Sequence, residues 1–130
     1  SDIEEAEQTE EVRTVESIIE RVSPELTKVF YLLRDRILKL GGDVREVIGG
    51  WYIDYRKSST FVTITPQSKN NRLLIFIKMG DSIINDPKEW TSPLPKEWAY
   101  GKLNTKFEVN KSNQLDYAME LIEQAYKYVP

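Results

Sequence analysis

The sequence predicts an α+β fold: a mainly antiparallel four-stranded meander sheet packed against N- and C-terminal helices. Three observations predict it. Apolar residues recur at helical spacing near both ends of the chain, apolar runs of strand length fill the middle, and short polar turns separate those runs. Helices before and after a meander favour packing on one sheet face, which leaves the other face open to water or to a partner.

The chain begins with an acidic lead, residues 1–11, which holds six acids and no Lys or Arg. We expect this lead to be a flexible, solvated segment. Without it, 18 basic residues stand against 15 acidic ones, so the net charge of −3 becomes +3. A positive body permits nucleic-acid binding without requiring it.

Residues 12–130 are predicted to form one domain, and its first helix spans 12–22. Val12, Val15, Ile19 and Val22 lie at helical spacing there. We expect this helix to be an appendage that connects to an upstream domain or forms a homodimer contact. The chain starts with Ser rather than Met, which suggests a fragment of a larger protein.

A second helix is predicted over 24–40. Ser23 suits the N-cap and Pro24 the first helical position. The Gly41–Gly42 pair that follows predicts a left-handed stop. One apolar stripe at spacings of three and four supports the helix: Leu26, Val29, Phe30, Leu33, Ile37 and Leu40.

Three strands on short turns are predicted next: WYIDYR (51–56), FVTIT (61–65, ended by Pro66) and RLLIFIKM (72–79). KFEV (106–109) reads as a fourth strand, and a last helix begins at Ser112 or Asn113. Alternation along the first strand places three large side chains in the core, Trp51, Ile53 and Tyr55, and turns three others outward, Tyr52, Asp54 and Arg56.

A long loop, residues 80–106, contains three prolines and the aromatic residues Trp90, Trp98 and Tyr100. Loops of this length are often functional or partly structured. The rings either form a recognition patch for a base, a peptide or a small ligand, or fix the loop to the sheet.

The composition excludes several kinds of chemistry. The chain has no Cys and no His, so disulfides, thiol nucleophiles, Cys/His zinc sites and a Ser-His-Asp triad are excluded. Glu108 and Lys111 lack the Glu-x-Lys spacing of restriction-type nucleases, and no phosphate-cradling Gly-rich loop occurs. We therefore expect no catalytic residues, metal or cofactor. The longest apolar run, LLIFI, is too short for a membrane span, and the absent cysteine fits a cytoplasmic protein.

The segments YIDYRKSSTFVTITPQSKNNRLLIFIKM, NDPKEW and LDYAMELIEQAYKYV, in this order, resemble the family called domain of unknown function 5655. The resemblance covers about residues 24–128. It implies a small module, often at the end of a longer protein. Some relatives accompany nuclease-like domains, and others are labelled predicted transport proteins. The family offers no established catalytic residues to transfer.

The leading interpretation is a non-catalytic recognition module of a larger protein, with nucleic acid as the ligand in a nuclease or defence context. Arg56 and Lys57 would contact phosphate and Tyr52 would stack on a base; alternatively, these residues form a hairpin tip kept soluble by charge. The other interpretations are a protein-interaction domain and a small-molecule-binding or enzymatic domain. The predicted ligand-binding residues are Tyr52, Arg56, Lys57, Arg72, Lys78, Trp90, Trp98 and Tyr100.

Overall fold

A computed structural model describes residues 13–80, 82–95 and 103–130. Three α-helices occur in these ranges: α1 Val15–Ile19, α2 Pro24–Leu38 and α3 Leu115–Tyr128, the last entered through a 3₁₀ turn, Ser112–Gln114. The strands are β1 Arg45–Ile48, β2 Ile53–Arg56, β3 Thr60–Gln67, β4 Arg72–Ile77, β5 Ser92–Pro93 and β6 Thr105–Val109. The acidic lead lies outside the described residues.

All strand pairs are antiparallel, and the sheet order is β1-β2-β3-β4-β6-β5. The predicted α+β class is therefore confirmed. The predicted number of four strands was wrong, because the described residues form a sheet of six strands. The missed strand β1 has four residues, of which three are exposed, so it shows no apolar alternation. The missed strand β5 has only two, which is too short to leave a periodic signal.

One face of the sheet is sealed by helices. Leu33 on α2, Ile75 on β4 and Ile122 on α3 are each fully buried in one continuous apolar core. Residues that face the core lie opposite one another on adjacent strands: Ile53 of β2 pairs with Ile64 of β3, which pairs in turn with Ile75 of β4. Because side chains alternate along each strand, the residues between these positions point to the opposite face.

Helix α1 is shorter than the predicted 12–22 and is part of the domain core rather than an appendage. Its buried residues Val15, Ile18 and Ile19 join the core cluster, together with Val22. Thr14 caps the helix by accepting a hydrogen bond of 3.1 Å from the amide of Ser17. The apolar stripe of α1 is therefore used inside the chain.

The predicted core position of Trp51 was wrong, because this ring is 62% exposed. The amide of Gly49 donates to the carbonyl of Tyr52 across 2.8 Å, so residues 49–52 form the turn between β1 and β2. Alternation applies only inside a strand, and β2 begins at Ile53. Ile53 and Tyr55 are buried as predicted.

Two predicted stop signals also act differently. Helix α2 ends at Leu38, and its C-cap residue Lys39 is right-handed. Gly41 is instead required by close packing, since a side chain there would collide with the Tyr126 hydroxyl. Pro66 does not end β3, which runs to Gln67. β2 pairs with β3 only as far as Ile64, so Pro66 lies where that side of β3 is unpaired and its missing N–H is tolerated.

A partly buried group of polar side chains joins α2 to the edge strand β1. Arg34 donates two hydrogen bonds to the Glu46 carboxylate, at 2.7 and 2.9 Å, and the Tyr55 hydroxyl donates a third at 2.9 Å. Desolvation raises the pKa of Glu46, but the bonds from Arg34 and Tyr55 outweigh it, so the pKa is lowered. This arrangement fixes β1, and with it Arg45, against the rest of the sheet.

None of the described helices has the length and apolar character needed to cross a membrane.

Candidate ligand-binding site on the open sheet face

The face of the sheet away from the helices carries a cavity of about 700 Å³. Its floor comes from three adjacent strands, whose outward-pointing residues the register brings together. The turns at the strand ends and the segments on either side of residues 96–102 complete it. The lining residues are Tyr52, Asp54, Arg56, Ser59, Thr60, Thr63, Thr65, Phe76, Leu94 and Leu103. Its volume falls in the range of small-molecule sites, about 300–1,000 Å³.

Arg56 supplies a cation whose hydrogen bonding is incomplete. Its Nε atom is buried, and no described residue accepts a hydrogen bond from it. Arg45 is its direct register partner on β1, so the two guanidinium-bearing side chains emerge on the same sheet face. Like charges directly opposite one another destabilise a sheet, and a buried donor without an acceptor adds a further cost. Both costs fall when an anion binds between or beside these groups.

A bulge in the β2–β3 pairing shapes the wall beside Arg56. The register shifts between Tyr55 and Arg56, so that Tyr55 pairs with Val62 and Arg56 pairs with Thr60. The extra residue, Phe61, is fully buried and packs edge-on against the Tyr126 ring of α3. Thr60 is thereby left to line the cavity.

Asp54 supplies one carboxylate on the same strand. Its Oδ1 accepts a hydrogen bond of 2.6 Å from the buried hydroxyl of Thr63. No described residue donates to its Oδ2. Desolvation raises the pKa of Asp54, and the bond from Thr63 and the charge of Arg56 oppose this only in part. The site therefore holds a carboxylate, Asp54, whose Oδ2 has no donor among the described residues, and the cation Arg56 lies two positions further along β2.

Aromatic and apolar side chains form the remaining surface. The Tyr52 ring lies close over Gly49, where any side chain would collide with it. Phe76 rises from β4 beside Thr63, its register partner. Leu94 is held by its amide, which donates to the Asn104 carbonyl across 2.9 Å. These groups offer ring faces and apolar contacts to a flat ligand body.

Within the described ranges, no three acidic side chains approach closely enough to hold a metal ion. Among the described residues that line the cavity, Asp54 alone carries a carboxylate and Arg56 alone carries a positive charge. With the hydroxyls and the rings of Tyr52 and Phe76, these groups suit the binding of a ligand.

A family model described as Domain of unknown function (DUF5655) matches residues 15–129 of the chain. The chain belongs to this family. The match spans every described helix and strand, including the cavity. Comparisons with curated proteins and with solved structures gave no match.

The eight predicted ligand residues of this DUF5655 chain divide into four groups. Tyr52 and Arg56 line the cavity. Lys78 is not a lining residue, but it contacts one, because its Nζ donates a hydrogen bond of 2.9 Å to the hydroxyl of the lining residue Ser59. Trp98 and Tyr100 lie outside the described residues, so their predicted contacts stay predictions.

The other three predicted residues are engaged elsewhere in the DUF5655 fold. Lys57 donates to the carbonyls of Tyr126 and Val129 at the end of α3. Arg72 pairs with Glu108 on the neighbouring strand and bonds Gln67. Both side chains thus have partners away from the cavity.

Trp90 is half-buried and packs against Tyr117 of α3, with ring centroids 4.7 Å apart. Its loop is organised by Asp86, which accepts hydrogen bonds from the Trp90 amide, the Thr91 amide and hydroxyl, and the Tyr117 hydroxyl. Desolvation raises the pKa of Asp86, but these donors outweigh it and lower the pKa to about 2. The part of the loop around Trp90 is therefore fixed to α3, while β5 of the same loop pairs with β6 in the sheet.

Sequence reasoning did not place Thr63, Thr65, Phe76, Leu94 or Leu103 in a site. Asp54 was predicted to face outward, but no ligand role was given to it. Alternation within β2 and β3 was the available signal for the polar members, because it puts them on the face opposite the core. No local signal marks Leu94 and Leu103, which reach the cavity only through the pairing of β5 and β6.

Proposed function

We propose that this DUF5655 chain is a non-catalytic recognition module that binds a nucleotide unit in the open-face cavity, with phosphate beside Arg56 and the base against the rings. The observation that carries the proposal is the buried, unpartnered Nε of Arg56 in a cavity lined by rings and hydroxyls. The nucleotide unit is either free or part of a single strand.

The phosphate is assigned to Arg56 on electrostatic grounds. Guanidinium groups match phosphate oxygens in geometry and charge. Arg45 adds a second positive charge opposite Arg56. Thr60 and Ser59 place hydroxyl donors on the same side of the cavity. A bound phosphate therefore relieves the repulsion between the two arginines and gives Nε an acceptor.

The base is assigned to the ring-bearing part of the cavity. Tyr52 and Phe76 present aromatic surface, and Leu94 and Leu103 add apolar contacts. Stacking of a base on an aromatic side chain contributes about 1–3 kcal/mol. An exposed sheet face that carries rings and cations is a common platform for unstacked bases.

The test is a binding titration with two probes, 5′-AMP and a fluorescently labelled single-stranded heptamer of deoxyadenylate. Arg56→Gln should weaken binding of the tighter probe at least about tenfold, because it removes a charge-assisted contact. For the heptamer, it should also reduce the slope of log affinity against log salt by about 1. Tighter binding of the heptamer identifies a strand as the source, and equal binding identifies a free nucleotide.

Arg36→Gln is the matched control. Arg36 lies on α2, is exposed, and pairs only with the exposed Asp116 among the described residues. This variant removes the same charge at a distance from the cavity, so affinity should stay within about twofold. Undetectable binding of both probes at 20 mM salt, or equal losses in the two variants, would refute the proposal.

A second candidate is a protein-interaction domain, favoured by the outer edge of β1, which pairs with no strand among the described residues. Val47 and Ile48 on this strand are both partly exposed, and an unpaired strand edge can add a strand from a partner. The partner proposed here is a second copy of the chain. Light scattering at high micromolar concentration should then show a dimer that Val47→Lys disperses; monomer alone rejects this candidate.

A further inference from the structure

We propose that Asp54 selects the base, by accepting a hydrogen bond at Oδ2 from the exocyclic amino group of adenine or cytosine. The inference deepens the proposed function and rests on it. It concerns a residue that neither the predicted ligand set nor the phosphate contact requires.

The carboxylate of Asp54 is held in a fixed position. Thr63 is buried, and its hydroxyl holds Oδ1 of Asp54 at 2.6 Å. The bond orients the plane of the carboxylate and occupies one of its oxygens. Oδ2 receives no donor from the described residues, while Asp54 as a whole lines the cavity. A single acceptor is thus held ready for a ligand.

Asp54 lies close to the cation Arg56 in the same cavity. Asp54 and Arg56 point to the same face of β2, and residues two apart along a strand are separated by about 6.6–6.8 Å. A ligand whose phosphate binds Arg56 can therefore extend along β2 so that its other end lies beside Asp54. The rings of Tyr52 and Phe76 bound the same space, so the edge of a base lying among them can reach Oδ2.

The chemistry of a carboxylate acceptor determines which base edge it can bind. An ionised carboxylate accepts hydrogen bonds and donates none. It therefore favours a base edge that presents an amino group, as adenine N6 and cytosine N4 do, and repels a carbonyl oxygen at that position. Burial raises the pKa of Asp54, and a donor from the ligand stabilises the charge that burial disfavours.

The experiment deletes one group from the ligand. Binding of 5′-AMP is compared with purine riboside 5′-monophosphate, which lacks only the 6-amino group; heptamers of the two nucleotides form a second arm. Wild-type protein should bind the amino-bearing ligand at least about tenfold more tightly. Asp54→Asn should reduce this preference to about threefold or less, while it still binds the ligand that lacks the amino group.

A second measurement keeps the test independent of the variant. The Asp54 carboxyl carbon is titrated by NMR in the wild-type chain; 5′-AMP should lower the pKa of Asp54 and purine riboside 5′-monophosphate should not. Equal affinities for the two ligands, or an Asp54→Asn variant that keeps the preference, overturn the role of Asp54 but leave the nucleotide proposal standing. If no ligand in either arm binds, the nucleotide proposal falls and this inference falls with it.

Discussion

Lys57 offers the sharpest test of how this structure divides binding from stability. The residue follows β2 directly and was predicted from the sequence to contact phosphate. In the structure, its Nζ lies 2.8 Å from the Tyr126 carbonyl oxygen and 2.7 Å from that of Val129. It also lies 4.0 Å from the centroid of the Tyr126 ring. We therefore expect Lys57→Ala to destabilise the fold and to leave ligand affinity unchanged.

The magnitude follows from these contacts. A hydrogen bond that involves a charged group contributes about 1.5–3 kcal/mol net, and carbonyls at a helix C-terminus favour a cation. One charge serves both carbonyls, so the two bonds do not add fully, and ordering a lysine costs up to about 2 kcal/mol. The cation–π contact adds about 0.5–2 kcal/mol. The expected loss in the free energy of unfolding is about 2 kcal/mol, which lowers Tm by roughly 8 °C for a domain of this size.

Urea unfolding followed by tryptophan fluorescence measures the loss, and circular dichroism measures Tm. Lys127→Ala is the matched control: Lys127 lies in the last turn of the same helix, is exposed, and bonds no described residue. This control should cost no more than about 0.5 kcal/mol. Equal stability of the two variants, together with weaker nucleotide binding by Lys57→Ala alone, would show that the reasoning from the carbonyl contacts is wrong.

Two further predictions concern acids. Burial puts the folded-state pKa of Asp54 above its unfolded value, so its contribution to stability is present below the unfolded pKa and lost as pH rises through the folded one. Asp54→Asn should therefore unfold at a higher temperature than wild type at pH 7 but not at pH 3; a lower Tm at pH 7 contradicts this. Asp86 has the opposite sign, with a folded-state pKa of about 2. The stabilisation from Asp86 is present above the unfolded pKa of about 3.9 and is lost as pH falls towards 2. Asp86→Asn should therefore cost about 1–2 kcal/mol of unfolding free energy at pH 7, and this cost should shrink between about pH 3.9 and about pH 2 in urea titrations. A cost that stays constant over this pH range contradicts the prediction.

The sequence predicted the fold where periodicity is long and unbroken. The stripe of α2 and the apolar run of β4 each extend over enough positions for one structure to win. β1 failed this condition because an edge strand keeps few buried side chains and uses Glu46 to bond Arg34 rather than to pack. Trp51 failed because an aromatic residue next to a strand was counted as part of it, whereas the turn from Gly49 to Tyr52 precedes the strand.

The candidate site was predictable only where one strand determines it. Arg56 follows from alternation along β2, and it lines the cavity. Tyr52 also lines the cavity as predicted, but it does so from the turn before β2, where alternation does not apply. Lys57 comes one position after Arg56, where that regular alternation ends, and it reaches α3 instead. The rest of the cavity depends on pairings between distant segments, such as Thr63 with Phe76. Local patterns cannot specify such a register, because the turn geometry and the shared core determine it.

Three energetically costly features lie on the open face of the sheet. A buried guanidinium nitrogen without an acceptor, two arginines opposite one another, and a carboxylate with a raised pKa all occur within or beside one cavity. The helix-covered face differs, because its polar side chains have hydrogen-bond partners. The buried Tyr55, for example, donates its hydroxyl hydrogen bond to Glu46. Natural sequences tolerate such costs mainly where function requires them. The stability of the closed face therefore permits the open face to keep polar groups that a ligand would satisfy. Such a ligand should stabilise the fold by an amount that grows with the logarithm of its concentration divided by Kd.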